Sequence, residues 1–206
     1  MNYLAHLYLS PPGEDALLGS VLGDFVKGPL TNGDVAARYG PQAAWAIALH
    51  RKIDSYTDAH PVVMESRRRV THQRRRFAGI MVDMFYDHFL ARNWQEFHPV
   101  PLASFADDFY AMLSRRHAEL PERLQRVAKS MIEFDWLGSY AHLESIDTAL
   151  NRLSQRLRRG DALVGSAEEL RQNYAEMENE FRRFLPDVAA FARRTERAGP
   201  SYWRVP

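Results

Sequence analysis

The sequence predicts an all-α protein, one compact helical domain over residues 1–206. Three observations carry this. Apolar residues recur at three- and four-residue steps through nearly the whole chain, the period of an amphipathic helix. No stretch alternates apolar and polar residues between hairpin turns, as half-buried strands would. Proline and glycine fall at the ends of most periodic segments, where helices stop. A chain of 206 residues can bury a substantial core, and 46% apolar with 26% charged residues is ordinary for a globular protein.

A first short helix covers roughly Tyr3 to Leu9, closed by "SPPG". A second runs from about Asp15 to Val26 and stops at "KGPLTNG". The third follows Pro41, holds "AAWAIALHRKIDSYTD" and ends before "AHP". "VMESRRRVTHQRRR" reads as a fourth, strongly basic helix. The fifth, "GIMVDMFYDHFLA", runs toward Trp94 and Phe97 and is ended by "HPVP". "ASFADDFYAMLSRRH" is the sixth. After Pro121 a mixed segment precedes a helix striped by Trp136, Tyr140, Leu143, Ile146, Leu150, Leu153 and Leu157. The last long helix starts as a capping box, Ser166 with Glu169 three residues on. Its stripe of Leu170, Tyr174, Met177, Phe181 and Phe184 reads as core rather than as a dimer face, and Pro186 breaks or kinks it. The tail "AGPSYWRVP" reads as irregular.

The bulk numbers exclude several classes of function. With no cysteine there is no disulfide, thiolate zinc site or cysteine nucleophile. A formal net charge of +1 argues against a nucleic-acid binder, and the basic segment has no interleaved aromatics for stacking bases. "MNYLAHLYLS" has no basic leader and interrupts its apolar run at His6, so it is no signal peptide. No apolar segment is long enough to span a bilayer. The chain reads as cytoplasmic.

The informative residues are the polar ones set into apolar helices. Asp83 and Asp87 lie four apart inside "GIMVDMFYDHFLA", on one face of a helix with almost no solvent side. Two ionised carboxylates there repel each other and lose their hydration, at several kcal/mol per uncompensated ion. The third helix stacks His50, Asp54 and Asp58 at successive four-residue steps. Asp24 stands alone in "GSVLGDFVKG", among glycines that permit close approach, and Asn2 and His6 are again four apart. Read singly, each has a structural explanation: a helix cap, a core histidine, or an acid paired with a neighbouring arginine. Read together, about five carboxylates in one half of a small domain favour a metal-centred hydrolytic site. Carboxylates with neutral imidazoles suit Mn²⁺, Fe²⁺ or Mg²⁺, and such sites hydrolyse phosphate esters.

The segments "MNYLAHLYLS", "GSVLGDFVKG", "HRKIDSYTDAHP" and "DMFYDHFLARNW", in that order, followed by "DWLGSY" and "NYAEMENEFRRFLP", resemble the acyl-carrier-protein phosphodiesterase family. The resemblance runs from the first residues to about Pro186. It implies an all-helical fold distantly like that of HD-domain phosphohydrolases. It also implies removal of the 4′-phosphopantetheine group from holo-acyl carrier protein with a divalent cation, typically Mn²⁺. The adjacent His-Asp doublet of HD enzymes is absent, its order being reversed in Asp87–His88. On this footing Asp24, His50, Asp83 and Asp87 are the expected metal ligands. Asp54 is expected to orient them or to bind as well, and His6 or His88 is the expected general acid. Lys27 and Arg51 are expected to clamp phosphoryl oxygens. "RRRVTHQRRR" places two arginine triplets seven residues apart on one expected helix, so Arg67 and Arg68 become candidates for docking the acidic carrier protein. The alternative substrate is a nucleotide or other small phosphodiester. A third reading is a helical adaptor whose buried acids are structural.

Overall fold

The computed structural model describes residues 1–30 and 33–199. Thr31, Asn32 and Pro200–Pro206 lie outside the described residues, and with them nearly all of the tail expected to be irregular. Among the described residues there are helices and turns and no strand. The helices are α1 (Tyr3–Tyr8), α2 (Glu14–Leu22), α3 (Asp34–Tyr39), α4 (Pro41–Ala59), α5 (Pro61–Arg69), α6 (Ala78–Arg92) and α7 (Trp94–Phe97). They continue with α8 (Leu102–Arg115), α9 (Glu122–Glu133), α10 (Trp136–Ser139), α11 (Leu143–Ser154), α12 (Ala167–Gln172) and α13 (Tyr174–Ala198).

Two buried helices form the frame. In α4, Ala43, Ala46, Ile47, Leu49 and Ile53 are buried, and in α6 nearly every residue from Met81 to Ala91 is. α2 lies against α4 at backbone contact distance, which only glycine permits. A Cβ on Gly19 would sit 2.3 Å from the Ala43 carbonyl oxygen, and one on Gly23 would sit 2.3 Å from Cγ of His50. The loss of side-chain surface there is what lets the Asp24 turn reach His50.

The C-terminal helices brace this frame through buried acids that are fully partnered. Glu180 of α13 accepts from Ser66 Oγ at 2.5 Å and from Arg69 Nε at 2.7 Å, and Ser66 in turn meets the Tyr86 hydroxyl at 2.8 Å. Glu169 of α12 accepts from the Thr71 amide and hydroxyl and from Arg74. Without those donors each carboxylate would be an unpaired buried charge, which is strongly destabilising.

Several boundaries differ from the sequence expectation. α2 ends at Leu22, four residues early, so Asp24 stands in a turn. α3 was not foreseen. The basic segment is not one helix. α5 stops at Arg69, Val70 is extended and fully buried, and a 3-10 helix covers His72–Phe77. Burying Val70 and tying the Thr71 amide to Glu169 take the chain out of helical geometry, so the two arginine triplets do not superpose. The Trp136–Leu157 stripe likewise splits into α10 and α11. Asp135 adopts a left-handed conformation and caps Gly138 N, and His142 is extended. Ser166 makes no capping bond, because its dihedrals are helical rather than the extended ones of an N-cap, and Glu169 turns to Thr71 and Arg74. α13 continues through Pro186.

Candidate active site

Four segments bring polar side chains to one place: α1 with His6, the turn after α2 with Asp24, α4 with His50 and Asp54, and α6 with Asp83. His6 Nε2 is 3.0 Å from Asp54 Oδ1, and His50 Nε2 is 3.2 Å from Asp54 Oδ2 and 3.6 Å from Asp24 Oδ1. The two imidazoles stack with centroids 3.7 Å apart and planes 14° apart. Both rings are buried, whereas Asp24 and Asp54 are 50% and 41% exposed. The cluster therefore opens to solvent on its carboxylate side.

The tautomer of His50 follows from its partners. Nδ1 lies 2.7 Å from the Ser20 carbonyl, which can only accept, so Nδ1 carries a proton. A neutral His50 then aims its Nε2 lone pair at two carboxylates, and something positive must stand between them. In the absence of another cation a second proton does so. Burial acts to lower the His50 pKa, but Asp24 and Asp54 outweigh it and bring it up to about 9. His6 goes the other way, down to about 4, through burial and the adjacent His50. With no other cation present, the second proton therefore belongs on His50 rather than on His6. Burial also acts to raise Asp54 and Asp24, but the hydrogen bonds with His50 dominate and hold both below the usual carboxylate range.

The donor set fits a divalent cation. One atom each from His6, His50 and Asp54 lie within 4.8 Å of one another. A ligating imidazole that donates its other N–H to a backbone carbonyl is the usual arrangement around metals, and His50 has it. His6 Nδ1 is buried without a hydrogen-bond partner.

The other expected site residues fall in different places. Asp83 joins the edge of the cluster through the Met1 ammonium, 3.3 Å from Asp83 Oδ1 and 3.5 Å from Asp54 Oδ1. Burial raises the Asp83 pKa against that ammonium and Arg67. Asp87 is turned away. It is completely buried, and its two oxygens accept from the amides of Leu4 and Ala5 at 2.8 and 3.1 Å, anchoring the start of α1. His88 is turned away too: Nδ1 donates to the Tyr140 carbonyl and Nε2 faces the Tyr174 hydroxyl. Arg51 gives its guanidinium to the carbonyls of Val26 and Gly28, so it shapes the turn that carries exposed Lys27. Arg67 binds Asp58 at 2.5 Å, with its Nε buried and unpartnered, and Arg68 is exposed. The contributions of the Met1 amine and the Ser20 carbonyl were missed, since backbone groups leave no mark in a side-chain pattern.

Fold and site together define an all-helical protein in which two buried imidazoles meet half-exposed carboxylates in a cluster suited to a divalent cation. The comparison with known sequences is more specific. The family model described as acyl carrier protein phosphodiesterase matches residues 1–188. A protein of that name from Pectobacterium atrosepticum is 34% identical over 194 residues, covering 94% of this chain and 98% of that one. Its namesake from Serratia proteamaculans is 35% identical over 189 residues, covering 91% and 95%. That from Salmonella agona is 35% identical over 195 residues, covering 94% and 98%. No solved structure matches the chain. The chain belongs to the acyl carrier protein phosphodiesterase family. No helix among the described residues is long and apolar enough to cross a membrane.

Proposed function

We propose that the protein hydrolyses the phosphodiester linking 4′-phosphopantetheine to a serine of holo-acyl carrier protein, releasing apo-protein and free phosphopantetheine. The observation that carries this reading is His50, its tautomer fixed by Ser20 and its free nitrogen aimed at Asp54 and Asp24 beside stacked His6. His6, His50 and Asp54 are the residues that would hold a divalent cation, with Mn²⁺ the leading candidate and Mg²⁺ or Fe²⁺ the alternatives. When bound, such an ion supplies an acidified water and neutralises phosphoryl charge.

The chain's own groups do the rest. Hydrolysis breaks the phosphorus–serine oxygen bond, forms a new bond from water oxygen to phosphorus, and moves one proton from the water to the serine oxygen. Asp24, half exposed at the mouth and outside the three-residue cluster, is the carboxylate placed to take and return that proton. Lys27, exposed three residues along the same turn, supplies a charge for the non-bridging oxygens. Asp87 and His88 take no part in the chemistry. Asp87 positions His6 by anchoring α1, and His88 ties α6 to Tyr140 and Tyr174.

The test is incubation of holo-carrier protein with the enzyme and Mn²⁺, read by mass spectrometry for loss of the prosthetic group. Wild type should release it, and Asp54→Asn should not. Failure of wild type across Mn²⁺, Mg²⁺ and Fe²⁺ would refute the reading.

A further inference from the structure

The arginines that sequence periodicity nominates for docking are largely committed inside the molecule. Arg67 pairs with Asp58, Arg69 with Glu180 and Arg74 with Glu169, and Arg75 bonds the carbonyls of Val70 and Arg68. A partner binding there would compete with existing ion pairs. A different basic surface lies beside the mouth of the site.

Arg123, near the start of α9, stands with Cζ 5.4 Å from the Phe25 ring centre, and Phe25 directly follows Asp24. Tyr3 sits on α1 three residues before His6, with its ring 6.3 Å from that of Trp136. The Tyr3 phenol is raised by burial and by Asp24, while the charges of Arg123 and Arg156 act on it in the opposite sense. Arg123 thus borders the Asp24 turn through Phe25, and Arg156 follows just after the C-terminal end of α11. Farther out, Arg152 stands over Phe134, with Cζ 5.3 Å from the ring centre. Phe134 is 51% exposed. From Arg123 to Phe134 the rise along α9 is about 16 Å. Arg123, Arg152 and Arg156 are all exposed, and among the described residues none has a carboxylate within ion-pair distance.

We infer that the acidic carrier protein docks on the face made by α9 and the C-terminal end of α11, with Arg123, Arg152 and Arg156 as its charge contacts and Phe134 as its exposed apolar contact. The inference rests on the function proposed above, which supplies an acidic partner with a phosphodiester. Charge complementarity selects the occupant. Three cations with no carboxylate partner among the described residues can be engaged without breaking an ion pair, and arginine with aromatic side chains is the composition of interface centres. Contiguity with the mouth selects the place. A partner held on this face presents its modified serine next to Asp24, and fields of this sign speed encounter by tenfold or more at low salt.

The experiment compares wild type, the triple charge reversal R123E/R152E/R156E, the single R156E and the control R68E, all with holo-carrier protein and Mn²⁺ at low and at physiological ionic strength. The inference expects the triple variant to raise KM about tenfold or more at low salt, to lower kcat much less, and to lose most of the salt dependence of kcat/KM. R68E should leave KM within about twofold of wild type. A triple variant with wild-type KM, or an R68E effect as large, overturns the inference. If the triple variant fails to give a wild-type circular dichroism spectrum, R156E, in the exposed turn after α11, decides alone by the same KM criterion. If wild type releases no phosphopantetheine, the functional reading fails and docking is judged by titration. A holo-carrier Kd weakened about tenfold or more by R156E keeps the inference, and an unchanged Kd or no binding sinks it.

Discussion

Asp54 and Asp87 both interrupt apolar helix faces, yet their surroundings give them opposite protonation behaviour. Asp54 lies between two imidazoles and stays ionised. Asp87 is wholly buried, and burial pushes its carboxyl up to about 7, even though two amide hydrogen bonds and the Met1 ammonium favour its charged form. An acid whose folded pKa exceeds its unfolded value of about 4 binds an extra proton in the native state between those limits. Wild type should therefore lose stability relative to Asp87→Asn as pH rises from about 4 to about 7, with a slope of at most about 1.4 kcal/mol per pH unit. Chemical denaturation of both proteins across that window measures it, and parallel curves would exclude a raised Asp87. At the low end of the window, removing one of the two acceptors for the α1 amides should make Asp87→Asn the less stable protein, by roughly 1–3 kcal/mol. Sequence alone paired Asp87 with Asp83 as candidate ligands because both occupy one helical stripe. That spacing fixes the face but not which neighbour meets each residue, and the amides that Asp87 serves lie more than eighty positions away.

At the scale of elements, the turn after α2 decides whether Asp24 and His50 meet. Gly23 has ordinary helical dihedrals, so its role is space rather than backbone freedom: an added Cβ would lie 2.3–2.6 Å from three atoms of the His50 ring. Gly28, in the same loop, has φ +86° and nothing within 4 Å of an added Cβ. Gly23→Ala should displace the imidazole, cost roughly 1–3 kcal/mol, and reduce phosphopantetheine release at least tenfold. Gly28→Ala should cost only about 1 kcal/mol of backbone strain and keep most of the activity. Melting curves and carrier-protein turnover for the two variants check this, and equal activities would remove the Asp24–His50 approach from the account. The helical class and most of the larger helices were legible from periodicity and from the Pro and Gly stops. What was not legible depended on long-range partners. Val70 and Thr71 break the basic segment because one is buried and the other is held by Glu169, and no local signal marks either event. The arginine stripe expected on one helix dissolves with that break.

At the scale of the whole molecule, the cluster is assembled from α1, the turn after α2 and α4, with Asp83 of α6 at its edge, and it is exposed on its carboxylate side. The C-terminal half supplies braces, through Glu169, Glu180 and the contacts of Tyr140 and Tyr174 with His88. Asn2 Nδ2 donates to the Tyr140 hydroxyl across the same junction. Native packing thus holds His6, His50 and Asp54 together, whereas the unfolded chain places them up to 48 residues apart. A ligand that binds only the assembled state stabilises it by an amount set by concentration over Kd, about 2.7 kcal/mol at a hundredfold excess. Mn²⁺ should therefore raise the melting temperature of wild type in proportion to its logarithmic concentration. His50→Gln and Asp54→Asn remove a donor from the cluster and should abolish the shift. Asp24→Asn leaves the three-residue set intact, so it should retain the shift while losing turnover. That pattern separates a carboxylate that moves a proton from one that holds the ion. Loss of the Mn²⁺ shift in Asp24→Asn would place Asp24 among the ligands instead, and a shift that survives in His50→Gln and Asp54→Asn would move the cation site elsewhere.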